Sequence, residues 1–237
     1  MAIIAAALLL LLAALLTQAP IAQFPDYHDL ADQRRLLGIP HFWNVASNLP
    51  FLAVGAMGLA LLRRRPAGAS PAWAALFGGT ALVFFGSAYY HLDPRDATLV
   101  WDRLPIGVAF MGFFAALIAE HSRVDARRIL VPLILVSIGA VYWWRFTGDL
   151  SIWVWVQLAP MLAIVLALAL LPGQYTHRRY MAYALVLYAA AKLFELGDRQ
   201  LMAWSAGALS GHSLKHLAAA AGVLCFYAML KKRSAIR

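Results

Sequence analysis

Ser151 to Leu171 reads SIWVWVQLAPMLAIVLALALL, a run without one charged side chain. At about 1.5 Å per helical residue it is about 30 Å long, the thickness of a bilayer's hydrocarbon core. Lipid offers no partner to a backbone N–H or C=O, so a spanning segment is a helix or a strand of a closed barrel. The run shows no alternation of apolar and polar residues, which excludes a barrel strand. On either side of it, further apolar runs occupy residues 43–62, 72–91, 99–119, 129–145, 180–196 and 212–230. The expected fold is therefore all-α: a polytopic membrane protein with a seven-transmembrane helical bundle.

The composition of the whole chain agrees. Of 237 residues, 63% are hydrophobic and 13% charged, where soluble domains have about 25% charged residues. The spans fill the chain and leave no room for a separate soluble domain. A net charge of +9 would point to nucleic acid in a soluble protein. Here the basic residues stand between spans, where they set topology, and no nucleic-acid partner is expected. Cys225 lies alone in an apolar run and reads as a small buried hydrophobe.

Residues 1–19 form a separate N-terminal hydrophobic segment, almost pure Ala, Leu and Ile up to Leu16. It is either a signal peptide or one extra N-terminal hydrophobic helix. The lack of a positively charged start favours the uncleaved helix. Residues 20–42 are polar and mixed, and belong at an interface. The membrane domain is expected over 43–230 and a basic tail over 231–237. Arg63, Arg64, Arg65, Arg123, Arg127, Arg128, Arg178, Arg179, Lys231, Lys232, Arg233 and Arg237 fall on one membrane face by parity of the spans. The positive-inside rule places that face, with the C-terminus, in the cytoplasm.

The remaining polar residues gather at the opposite face. The second core span closes on Ser87-Ala88-Tyr89-Tyr90-His91, the third opens on Trp101-Asp102-Arg103, and the seventh opens on His212-Ser213-Leu214-Lys215-His216. Each signal alone has a plain reading. His91 alone is an interfacial residue, Ser87 alone a serine bonded back to its own helix, and Asp102 alone a helix-start acid or the partner of Arg103. The pair His212 and His216 is less ordinary, because two imidazoles four residues apart share one helix face and polar groups in lipid mark functional sites. Three imidazoles and one carboxylate at one depth match a catalytic zinc site with an open fourth position. His28, His41, His121 and His177 do not fit that depth, and Lys192, Glu195 and Asp198 are most simply a structural ion-pair group. Trp101, Trp143, Trp144, Trp153, Trp155 and Trp204 are placed as an aromatic belt is.

With those residues quoted, the chain resembles the alkaline ceramidase family, within the seven-span zinc hydrolases that include the adiponectin-type receptors. The matching motifs are Ser87-x-x-x-His91, Asp102 on the next span, and His212-x-x-x-His216 opening the last; Phe42-Trp43-Asn44 with Ser47-Asn48 is similar to the start of the family's first core helix. The resemblance covers about residues 26–230 and implies zinc held by His91, His212 and His216, with Asp102 and Ser87 at the catalytic centre. It implies hydrolysis of the N-acyl amide of ceramide or a ceramide-like lipid to a fatty acid and a sphingoid-type amine. Asp102 would take a proton from the attacking water and return it to the amine, and Ser87 would donate to the developing oxyanion.

The family's acidic calcium-binding stretch is not matched. His41 stands where an acid is expected, and Asp26, Asp29 and Asp32 follow another pattern, which puts calcium in doubt. The expected partners are the lipid substrate and the bilayer, and no protein partner is identifiable. The absence of a glycosylation acceptor and the Ala/Leu/Arg bias point to a bacterial inner membrane, with the site toward the periplasm. A receptor-like or scaffold member that keeps the zinc without turnover is the competing reading. A transporter or haem protein fits less well, since histidines on one helix face suit a small cation better than a haem.

Overall fold

The computed structural model describes residues 1–66, 69–122 and 124–236; Arg123 and Arg237, two of the basic residues used for orientation, lie outside the described residues. Among the described residues each apolar run closes its hydrogen bonds locally, giving ten helices: α1 Ala2–Thr17, α2 Phe42–Ala46, α3 Leu49–Arg64, α4 Ser70–Leu92, α5 Asp96–His121, α6 Ala126–Thr147, α7 Ser151–Leu170, α8 Arg179–Leu196, α9 Asp198–Trp204 and α10 Gly211–Lys232. The expected spans are met within a few residues. The continuous stretch Phe42–Arg64 and helices α4, α5, α6, α7 and α10 are each long and apolar enough to cross a membrane. Helix α8 completes the seven-helix core with 18 residues, about 27 Å, and carries Arg179, Lys192 and Glu195. Helix α1 is the additional one, docked on α7 where Trp155 Nε1 donates to the Leu8 carbonyl at 3.0 Å.

Two local features were not anticipated. The first core span is broken at Ser47–Asn48 into α2 and α3, because Pro50 in the first turn of α3 has no N–H to continue the preceding ladder. A short helix, α9, follows Gly197 before the last span. Elsewhere the ends follow ordinary capping chemistry. Asp125 accepts from the Arg127 N–H at 2.7 Å to start α6, and Gly148 ends it in the left-handed region at φ +76°. Ser210 accepts from the Ser213 N–H at 3.0 Å to start α10.

The packing that positions the site lies between α4 and α5. A Cβ at Gly86 would overlap the Trp101 carbonyl and sit 3.2 Å from Pro105, so only glycine permits this approach of two backbones. At the basic end, Glu120 joins Arg233 and the Trp73 indole, with the Arg233 Nη2 to Oε1 distance 2.6 Å. The opposite end, called here the site end, is crossed by residues 20–41 as a strap. Its Ile21 N–H donates to Asp149 at 3.1 Å, its Gln23 amide to Asp96 at 3.2 Å, and its Ala31 N–H to Asp198 at 2.9 Å; Asp29 pairs with Arg199. The strap thus touches the starts of α5 and α9 and the α6–α7 turn.

Candidate metal centre

His91, in the last turn of α4, and His212 and His216, in the first two turns of α10, meet at the site end. Their ligand atoms all lie within 4.8 Å of one another, and all three side chains are buried. The Nε2 atoms of His91 and His212 are 3.3 Å apart, and the ring centroids of His91 and His216 are 5.1 Å apart. Among the described residues this is the one group of His, Cys, Asp or Glu that can hold a metal ion.

The tautomer of His216 follows from its neighbours. The Ser47 hydroxyl donates to the Asn44 carbonyl at 3.2 Å, so its oxygen is left to accept from His216 Nδ1–H at 2.8 Å. The His216 Nε2 lone pair is then free to face the other two rings. A ligand imidazole held through its second nitrogen is the usual outer-shell arrangement of a metal site. The His91 Nδ1 is buried with no such partner.

The start of α10 is set with equal care. The Asp198 Oδ1 accepts from the His212 N–H at 2.8 Å while its other oxygen holds the strap at Ala31. Gly211 lies against Phe194 O and the Asp198 backbone, where a Cβ would overlap both. One turn on, Lys215 reaches Glu195 at 2.9 Å, and Glu195 also takes Lys192 at 3.0 Å. Lys192 and Glu195 therefore form the ion-pair group of the sequence reading, and Asp198 stands apart from it as a helix anchor.

Because α4 and α5 touch at Gly86 and Trp101, the next residue on each, Ser87 and Asp102, also meet. The Ser87 side chain lies next to the Asp102 carboxylate. Ser87 is one turn from His91, which places Asp102 at the same end of the bundle as the histidines. The Asp102 Oδ1 is buried and has no hydrogen-bond partner. A buried carboxylate oxygen without a donor is rare enough to need a cause, and a water bound in the site is one. The donor set fits a cation of the zinc type: three imidazole nitrogens converging from two helices, with a carboxylate at the same end of the bundle.

Asp102 does not pair with Arg103, whose guanidinium turns away onto the Trp144 ring at 3.9 Å. The tryptophans divide: Trp101, Trp143 and Trp204 are exposed as a belt requires, whereas Trp144, Trp153 and Trp155 are buried. The three candidate calcium acids are not gathered. Asp32 is fully buried and taken by Arg34 at 2.6 Å, Asp29 pairs with Arg199, and Asp26 is exposed. His41 bonds the Asp32 carbonyl at 3.2 Å. His121 and His177 bond Leu117 and Thr176 near the basic end. His28 lies closer to the site than its sequence neighbourhood suggested, with Nδ1 3.0 Å from the Tyr90 hydroxyl.

Residues 50–235, from the first turn of α3 to the tail, match the Family of unknown function (DUF6962). The chain belongs to that family. No curated protein matches it. The DUF6962 region holds the three histidines, Ser87, Asp102 and Asp198, while Ser47 and the strap precede it. Ser47 was noted in the sequence only as part of a motif. Its signal was the spacing of Asn44, Ser47 and Asn48, which share one face at the head of an apolar helix.

Proposed function

We propose that this chain is an integral-membrane, zinc-dependent amidase that hydrolyses the N-acyl amide of ceramide or a ceramide-like lipid. The observation that carries the reading is the convergence of three buried imidazoles, with Asp102, whose Oδ1 is buried without a partner, at the same end of the bundle. A zinc ion held by His91, His212 and His216 would supply a Lewis acid and a water acidified to a pKa of about 7.

The chain's own residues supply the rest. Asp102 accepts a proton from the attacking water at Oδ1 and returns it to the leaving amine. Ser87, next to that carboxylate, is placed to orient the base or to donate to the developing oxyanion. The apolar walls of α4, α5 and α10 accommodate acyl chains at the depth where a lipid's amide lies. The resemblance to the alkaline ceramidases supports the same reaction and the same five residues. The clustering of arginines at the other end supports a cytoplasmic C-terminus, with the site on the outer, in a bacterium periplasmic, face.

The test is fatty-acid release from N-acyl lipids by purified protein in detergent, with zinc measured on the same samples. Wild type is expected to turn over, Asp102→Ala to keep zinc without turnover, and His216→Ala to lose both. Zinc bound with no N-acyl lipid cleaved would replace the amidase by a non-catalytic zinc protein.

A further inference from the structure

Arg103 is a cation with less company than its burial demands. Only 4% of it is exposed, yet among the described residues no carboxylate lies in ion-pair range of it. Of its five N–H donors, Nη2 bonds Gln23 Oε1 at 2.6 Å, while Nη1 is buried with no partner at all. Its plane rests over Trp144 at 3.9 Å, with the Tyr27 and Trp153 rings at 5.6 and 5.7 Å. Aromatic faces attract a cation but do not accept the in-plane N–H groups of a guanidinium.

The acids that might have served are committed elsewhere. Asp149 accepts from Ser151, the Ile21 N–H and Trp143. Asp96 accepts from His28 and Gln23. Asp102, the residue before, lies next to Ser87 and forms no ion pair with Arg103. The arrangement keeps a guanidinium buried and without a carboxylate, with its Nη1 group unpaired. A fork-shaped donor in that state suits a carboxylate or a phosphate, which accept two parallel N–H bonds.

We propose that Arg103 binds an acidic group on the polar part of the lipid substrate, so that the amide cleaved at Asp102 belongs to an anionic N-acyl lipid. This rests on the amidase reading above. Arg103 follows Asp102 on α5 and lies about 100° around the helix. The acidic group is therefore held on the α6 and α7 side of α5, around the helix from Asp102. Gln23 and Tyr27 belong to the strap, so the strap closes over the bound headgroup.

The experiment measures displacement of a fluorescent fatty-acyl probe from zinc-loaded protein in zwitterionic nanodiscs, with Asp102→Asn used so that ligands stay intact. One arm compares an N-acyl amino acid with its methyl ester. The other compares an N-acyl sphingoid-base phosphate with its dephosphorylated form. In at least one arm the acid is expected to bind about tenfold or more tightly than its neutral partner, about 1.4 kcal/mol, and the arm that responds identifies the source of the anion. Arg103→Gln is expected to remove the preference while zinc content stays unchanged. If Arg103→Gln does not fold, Arg103→Lys, which keeps the charge without the planar fork, is expected to lower the preference several-fold. Equal binding of acid and neutral forms in both arms, a preference that survives in Arg103→Gln, or one that is undiminished in Arg103→Lys, overturns the proposal. A preference for the acid with no cleavage by wild type leaves the anion site standing and removes the amidase. Cleavage of neutral N-acyl lipids with no preference does the reverse.

Discussion

At His216 two hydrogen bonds decide what the ring can do. Ser47 donates onward to Asn44 and accepts from His216 Nδ1 at 2.8 Å, which fixes the ring's orientation and leaves Nε2 toward the cluster. Removing such an outer-shell partner typically lowers metal affinity about 10–100-fold. Ser47→Ala is therefore expected to weaken zinc binding by that factor with little change in thermal stability, as read by competition with a chromogenic chelator. Unchanged affinity would mean that packing alone holds the ring. The contrast with His91, whose Nδ1 has no partner, adds a second expectation: the order of sensitivity is His216's surroundings before those of His91. The histidines were legible in the sequence because imidazoles inside an apolar run are costly and therefore informative. The Ser47–His216 bond was not, since it joins residues 169 apart in the chain and only the packing of α2 against α10 creates it.

At the scale of elements, the site is assembled by two sets of helix contacts that do different work. The packing of α3 against both α4 and α10 brings His91 to His212 and His216. The contact of α4 with α5 brings Ser87 to Asp102, and it depends on Gly86 meeting the Trp101 carbonyl without a Cβ between them. Gly86→Ala is expected to force α5 outward at a cost of about 1–3 kcal/mol, lowering the melting temperature. It should separate Asp102 from Ser87 while leaving the three imidazoles together. The outcome to look for is protein that still binds zinc one to one and no longer hydrolyses substrate. Loss of zinc would show that α5 also supports the metal cluster. The helices themselves were readable from hydropathy to within a few residues, because lipid leaves the backbone one way to satisfy its bonds. What hydropathy missed were α9 and the α2–α3 break, short features governed by Gly197 and Pro50 in place of apolar length. Three of the six belt tryptophans were missed for a related reason. Trp144 and Trp153 are drawn inward by Arg103, and Trp155 by the Leu8 carbonyl of α1, contacts that position along the chain does not reveal.

At the scale of the whole molecule, the site end of the bundle is crossed by the strap, and the strap is held by hydrogen bonds and ion pairs to three elements as well as by the buried Leu30. Its internal fastening is Asp32 with Arg34. Burial of Asp32 favours its neutral form, but the side-chain and backbone hydrogen bonds from Arg34, with that residue's charge, outweigh burial and hold the carboxyl below its ordinary value. A carboxylate depressed in the folded state adds stability that is fully present above its unfolded pKa, about 3.9, and is lost as pH falls through the lower folded value. Hydrogen bonds to a charged group contribute about 1.5–3 kcal/mol, enough to change the opening of a segment anchored at few points. Amide exchange across residues 20–41, corrected for intrinsic rates, should therefore be constant from neutral pH down to about 5 and quicken below about 4, while the bundle helices stay protected. Asp32→Asn should show the faster exchange already at neutral pH and lose the pH dependence that this carboxylate contributes. If the strap of Asp32→Asn is as protected as wild type, its anchors are Asp198 with Ala31 and Arg199 with Asp29. Closure over the histidines would then be controlled from α9, the element that also caps the first metal-facing turn of α10.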